Sequence, residues 1–341
     1  MKVLKIAQSG FYLLGILFMV TGCFSSNSKN EIADRDELVP SQQQLFYADP
    51  TIFFHQGIYY LYGTVENKPN KGFEVYTSYD LVNWDGPSGA NDGFALRRED
   101  VFGNKGFWAP QVFEHNGKFH MAYTANENIA IATSSSPLGP FVQENKVAIE
   151  APVKQIDPFV FFDDDGKVYM YFVRLTDGNR LFVAEMKPDL SGILEHTAKE
   201  CISAEEEWEN TQQVNWPVAE GPTIIKHNGL YYFIYSTNDF RNPDYAVGYA
   251  VSDNPIGPWE KVPQNPILNR MHVGENGTGH GDLFKDGNGD WHYVLHTHYS
   301  STTPNPRKTA IIKVAFKESE QMNTYDEIVF DYKSFRFLFE D

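Results

Sequence analysis

The sequence predicts an all-β fold, a five-bladed β-propeller in a single domain, on three observations. Five segments repeat one pattern about 50 to 60 residues apart, a period that marks propellers and solenoids. Each joins an apolar strand to a second strand rich in Tyr and Phe through a Gly-containing turn, which favours the propeller. Long heptad-like runs, which a helical repeat would need, do not occur.

The repeats are residues 47–63 (YADPTIFFHQGIYYLYG), 107–124, 156–172, 219–236 and 279–297. Their opening residues are matched here as Asp49, Trp108, Asp157, Glu220 and His280. The second half of each unit also recurs. Residues 72–84, 128–141 and 245–259 are alternating strands followed by Ser or Asp with Pro and Gly, then an aromatic; 180–190 and 308–316 follow more loosely. About four strands per blade result. Residues 327–339 are expected to pair with the first blade and close the ring. The segment 83–106, with several Gly and charges, is expected to cross the mouth as a loop. The run Glu205-Glu206-Glu207 reads as a solvated loop or short helix rather than a metal site.

The net charge of −17, with 42 % apolar and 15 % aromatic residues, is a folded composition. Its acidity argues against nucleic acid and anionic membrane surfaces as partners, while a neutral ligand would suffer no repulsion. Lys2 and Lys5 precede an apolar run at 11–20 that is too short to span a bilayer. Val20-Thr21-Gly22-Cys23 resembles a bacterial lipoprotein box. The expectation is a signal peptide at 1–22, lipidation at Cys23, a polar tether at 23–44 and a propeller at 45–341. A cleaved secretory signal with an incidental Cys is the alternative. With Cys23 lipidated, Cys201 has no disulfide partner. The product would be an exported lipoprotein anchored at the outer membrane, and a monomer.

In a propeller the first strand of each blade lines the channel, so its opening residue points at the mouth. Asp49, Asp157 and Glu220 are placed there, each before a Pro, directly or across Gly221. One Asp-Pro is a turn starter; three acids at matched positions suit inverting hydrolysis of a glycosidic bond. One carboxylate activates water and another, kept protonated, donates to the leaving oxygen across roughly 6.5–9.5 Å. A third raises the acid's pKa by like-charge repulsion and holds it in place.

The ordered set Asp49-Pro50, Trp108-Ala109-Pro110, Asp157-Pro158, Glu220-Gly221-Pro222 and Gly279-His280-Gly281 resembles glycoside hydrolase family 43 over nearly the whole mature chain. The resemblance implies a five-bladed propeller and an inverting enzyme acting on arabinose- and xylose-containing glycans. It implies Asp49 as general base, Glu220 as general acid, and Asp157 as the group that tunes and orients the acid. Trp108 would stack on the sugar, and Arg307 would reach the sugar or the acid pair. Phe53 is a weaker substrate-binding candidate with core packing as its default. No cofactor is required; His280 would reach a structural Ca²⁺ in the central channel, more easily through water because calcium prefers oxygen ligands. Asp282 departs from the family pattern and would contact substrate, join the ion site or disturb the assignment of a single base. The runs beginning at Asp286 and Asp163 read as hairpin turns, because the first lacks the EF-hand Gly and Glu.

The leading expectation is an exo-acting α-L-arabinofuranosidase in polysaccharide degradation. β-Xylosidase, or a hydrolase of galactan or galactofuranoside, is the alternative within the family. A non-catalytic glycan-binding lipoprotein is the alternative from another class, and the three acids count against it.

Overall fold

Five hairpins form where the sequence alternates. They pair Tyr47–His55 with Ile58–Val65, Trp108–His115 with Lys118–Ala125, Gln155–Phe162 with Val168–Leu175, Ala219–His227 with Leu230–Thr237, and Gly279–Lys285 with Trp291–Thr297. Three of them, the first, second and fourth, turn through Gln56-Gly57, Asn116-Gly117 and Asn228-Gly229, with both residues left-handed. Such a two-residue turn matches the twist of the flanking strands. The computed structural model describes residues 43–318 and 325–340. The expected signal segment, Cys23 and the tether through residue 42 lie outside the described residues.

A third strand extends each hairpin: Tyr76–Ser78, Asn128–Ser134, Asn179–Glu185, Ala246–Ser252 and Lys308–Lys317. Lys199–Ile202, Glu260–Lys261 and Glu327–Phe337 add a fourth to the last three sheets. The all-β expectation is met. Among the described residues the one α-helix is Arg270–Val273, beside three single-turn 3₁₀ segments.

The apolar faces pair in sequence order. Tyr62 and Phe73 pack with Met121 and Tyr123, and Phe113 with Met170 and Phe172. Tyr171 then meets Phe233, and Tyr232 meets Tyr293. Finally Phe284 and Val294 of the fifth hairpin pack with Tyr47 and Tyr59 of the first. First strands likewise touch in cyclic order, the fifth against the first. Each fully buried aromatic is worth about 1.5–3 kcal/mol against exposure, so the stability lies between sheets.

Three local expectations change. Gln43–Gln44, assigned to the tether, pairs with Phe339–Glu340, which also lies parallel to Asn83–Trp84. The expected closing strand therefore belongs mostly to the fifth sheet, and only its last residues reach the first. Residues 83–106 do not cross the mouth: Phe94–Arg97 pairs back onto Gly72–Glu74, because its apolar residues are buried there.

Every hairpin breaks register at the same place, after Ala48, Trp108, Ile156, Glu220 and Gly279. The next residue, Asp49, Ala109, Asp157, Gly221 or His280, is left-handed, and in four cases Pro follows. Pro has no N–H to give the ladder, so it belongs at such a bulge. The fifth bulge uses Gly281 instead, where an added Cβ would lie 1.8 Å from the Val294 carbonyl. Gly281→Ala should therefore cost about 3 kcal/mol, the upper end of ordinary overpacking. Thermal unfolding checks this, and an unchanged midpoint would mean that the bulge tolerates a side chain.

Candidate active site

The bulges leave five backbone N–H groups without ladder partners, and buried donors must be satisfied elsewhere. The preceding hairpin supplies most of the acceptors. Ala109 N–H donates to Thr64 Oγ1, Asp157 N–H to Thr124 Oγ1, His280 N–H to Ser236 Oγ and Asp49 N–H to His296 Nδ1. In the third hairpin the equivalent residue is Val173, whose side chain accepts nothing, and Gly221 N–H instead faces the Asp157 carboxyl and tempers the rise in its pKa.

The same register corrects the sequence alignment by one residue. Asp49, Asp157 and His280 are equivalent, but their partners in the other hairpins are Ala109 and Gly221. Trp108 and Glu220 sit one position earlier, opposite Thr124 and Ser236. Aligning on the prolines rather than the acids would have found this. The three acids nevertheless converge with Trp108, Arg307 and His280 on one cavity of about 680 Å³.

Asp49 is buried and acceptor-rich. Thr64 Oγ1 donates to its Oδ2 at 2.7 Å, and Arg307 Nη1 to its Oδ1 at 2.9 Å. Burial alone would raise its pKa. Arg307 first, then His280 and His296 when protonated, and the Thr64 bond more than offset that, holding it well below the usual carboxylate range. Burial also keeps both imidazoles neutral near pH 7 by lowering their pKa values, so Arg307 is then the cation that matters. Arg307, with a surface position as its alternative reading, is in fact buried. It donates through Nε to Glu66 at 2.9 Å and lies 4.4 Å from the centre of the Phe240 ring.

Glu220 is the opposite case. Burial pushes its pKa up to about 7, and the charge of Asp49 adds to this. Two donors restrain the rise: Tyr245 Oη to Oε1 at 2.8 Å and Asn179 Nδ2 to Oε2 at 2.9 Å. Asp157 is raised too, by burial, then by Glu220 and Asp49. Of the three acids, Asp49 is therefore held ionised, while Glu220 and Asp157 hold their protons more tightly than free carboxyls do.

Trp108 is 38 % exposed on the cavity wall, as a sugar platform requires. Phe53 is not on that wall; it packs edge-on to Phe119 and beside His55 and Tyr60. Asp282 lines a narrow channel that shares Asp49, Asp157 and His280 with the cavity. There it accepts from Thr51 at 2.6 Å and Thr223 at 3.2 Å, and burial raises its pKa to about 6. It ties three sheets together below the site. His280 Nδ1 lies 3.4 Å from Asp49 Oδ1. An imidazole and a carboxylate already held by Arg307 are poor direct ligands for Ca²⁺. Among the described residues no cluster of three or more acidic, His or Cys side chains suits a metal.

Sequence reasoning missed Tyr245, Asn179, Trp216 and Glu66. Tyr245 opens a third-strand segment that reads as core, and it stacks on His296 with ring centres 5.6 Å apart. Asn179 and Trp216 carry no motif at all.

Comparison with known proteins adds four findings. The sequence model of glycosyl hydrolases family 43 matches residues 43–322. A solved structure described as an endo-1,4-β-xylanase from Bacteroides thetaiotaomicron is 42 % identical with a TM-score of 0.77, covering 85 % of this chain and 96 % of that one. A β-D-galactofuranosidase from Aspergillus niger is 24 % identical over 81 % of this chain and 82 % of that protein. A xylosidase/arabinosidase from Butyrivibrio fibrisolvens is 30 % identical over 73 % of this chain, which spans 49 % of its length.

Proposed function

The chain belongs to glycosyl hydrolases family 43, a family of inverting O-glycosidases, and from that premise we propose that it releases terminal pentosyl residues from arabinose- and xylose-containing glycans. α-L-Arabinofuranosides are the leading substrates. The scaffold is read as a five-bladed propeller in one domain, carried on a lipid anchor at Cys23.

One arrangement carries the mechanism: a single cavity holds Asp49 against the Arg307 cation, which lowers its pKa, and Glu220 in a buried setting that raises its pKa to about 7. Asp49 takes a proton from water, whose oxygen attacks the anomeric carbon opposite the leaving group. Glu220 passes its proton to the glycosidic oxygen as that bond breaks, and the product anomer is inverted. Asp157, whose pKa is raised by burial and then by the charge of Glu220, orients the acid. Arg307 and Thr64 keep Asp49 aimed. Trp108 offers a face to the sugar. A pure binder would have no use for this split between two carboxyls.

A second reading, a xylan-directed enzyme, is favoured by the 42 % identity to the protein described as a xylanase. Incubation with aryl α-L-arabinofuranoside, β-D-xyloside and β-D-galactofuranoside, with proton NMR of the released sugar, separates these readings. Inverted arabinose supports the first; xylose or galactose alone replaces the sugar. No release from any of them, nor from arabino- or xylo-oligosaccharides, would sink the hydrolase reading.

The pH profile follows from the same two groups. kcat/KM should decline as pH rises through about 7, where Glu220 loses its proton. Its acid limb should lie below the ordinary carboxylate value of about 4, because the base is held lower. Rates measured from pH 3 to 9, with stability controls, test this. An acid limb near 6 would reverse the assignment.

A further inference from the structure

Trp216 stands 48 % exposed on the cavity wall, away from any core. Its indole N–H is a donor only, and it donates to Asn179 Oδ1 at 3.0 Å. That bond decides which way the Asn179 amide faces, since its carbonyl must point at the indole. The amide N–H is thereby aimed at Glu220 Oε2, 2.9 Å away. An amide nitrogen cannot accept, so the proton that Glu220 delivers is kept out of that contact.

The backbone holds this chain of bonds in place. Asn179 N–H donates to the Pro217 carbonyl at 2.9 Å. Gly178, at φ +129, approaches so closely that a Cβ would lie 2.6 Å from that same oxygen. Upstream, buried Glu209 anchors the segment that leads to Trp216. It accepts from the N–H groups of Glu205 and Glu206, from Lys261 Nζ and from Tyr235 Oη. A half-exposed ring on so firmly tied a segment is a fixed surface.

The two exposed tryptophans stand on different sides of the reaction. Trp108 adjoins the base, because the next residue, Ala109, bonds to the Thr64 hydroxyl that donates to Asp49. Trp216 adjoins the acid through Asn179. A general acid protonates the departing oxygen, so the leaving group exits on the acid's side. Resting on the glycosidase reading above, we propose that Trp216 is the platform for the first sugar ring of the leaving group and, through Asn179, a positioning residue for Glu220. Occupancy of the leaving-group subsite and the direction of the acid's proton are set by one side chain.

Three variants separate the two roles: Trp216→Phe keeps a ring without the N–H, Asn179→Ala removes the relay, and Trp216→Ala removes both. They are compared with the wild-type chain on methyl pentosides, which need the acid but place no ring on the platform, and on arabino- and xylo-oligosaccharides, which need both. For Trp216→Phe and Asn179→Ala, kcat on methyl pentosides should fall about three- to tenfold, the worth of one hydrogen bond. The alkaline limb should also move to higher pH, because a bond that favours the carboxylate is lost. Asp49, Asp157, Asp239, Arg241 and Tyr245 also act on Glu220 and are unchanged in these variants. Trp216→Ala should add a rise of about tenfold in KM that is confined to oligosaccharides. A mere loss of packing would not move the pH limb. Wild-type kcat and pH profile in both relay variants, or an equal KM rise on both substrate types, would overturn the inference alone. A wild-type chain inactive on every substrate would take the glycosidase reading down with it.

Discussion

Replacing Glu220 with Gln is expected to lower turnover about 10²- to 10⁴-fold on substrates whose leaving group must be protonated, the usual worth of a general acid. The loss should be far smaller on dinitrophenyl glycosides, whose leaving group departs as an anion. The substitution fits the site. A Gln carbonyl can accept from Asn179, and its NH₂ can donate to the Tyr245 oxygen, so both partners of Glu220 are kept. The alkaline limb should vanish with the carboxyl that causes it. Steady-state rates on a series of leaving groups measure this directly. Equal losses on activated and unactivated substrates would remove Glu220 from the acid role and turn attention to Asp157, the other carboxyl whose pKa burial raises.

Asp49→Asn should abolish activity on both substrate classes, by about 10³-fold or more, because every inverting turnover needs the attacking water deprotonated. Unlike the acid variant, it should show no rescue by a better leaving group. The fold should survive, since Arg307 retains Glu66 and the Phe240 ring. A cost of about 2 kcal/mol is expected for the lost charged hydrogen bond. The sign of the pH effect is also defined. Asp49 titrates lower in the folded chain than in the unfolded one, so it stabilises above the unfolded value and that contribution is lost as pH falls. The variant should therefore show weaker acid destabilisation, read from denaturant midpoints between about pH 2 and 5, across and below the unfolded carboxylate value. Near-normal turnover in Asp49→Asn would place the base elsewhere, with Asp282 the first residue to examine.

Local chemistry made the hairpins legible. Alternating apolar residues, Asn-Gly and Gln-Gly turns and aromatic second strands act over a few residues, and the structure places strands in all five repeats. The acids were legible because Asp-Pro and Glu-Gly-Pro stand at the repeat starts. Their alignment failed by one residue for a physical reason. The bulge is set by a left-handed residue before Pro, and a string of letters shows the acid more plainly than the backbone turn. The expected loop across the mouth failed because Phe94, Ala95 and Leu96 had a sheet edge within reach and buried themselves there.

The sequence by itself determined the all-β class, the repeat, the family and the three carboxyls with Trp108, because each depends on residue type and short spacing. Which carboxyl is ionised was decided only by tertiary structure. Arg307 reaches Asp49 across 258 residues of chain, Asn179 meets Glu220 from another sheet, and Tyr245 does so from the residue before the third strand of Glu220's own sheet. A carboxyl's proton affinity is set by the charges, donors and burial around it. Those neighbours come together only when the sheets pack.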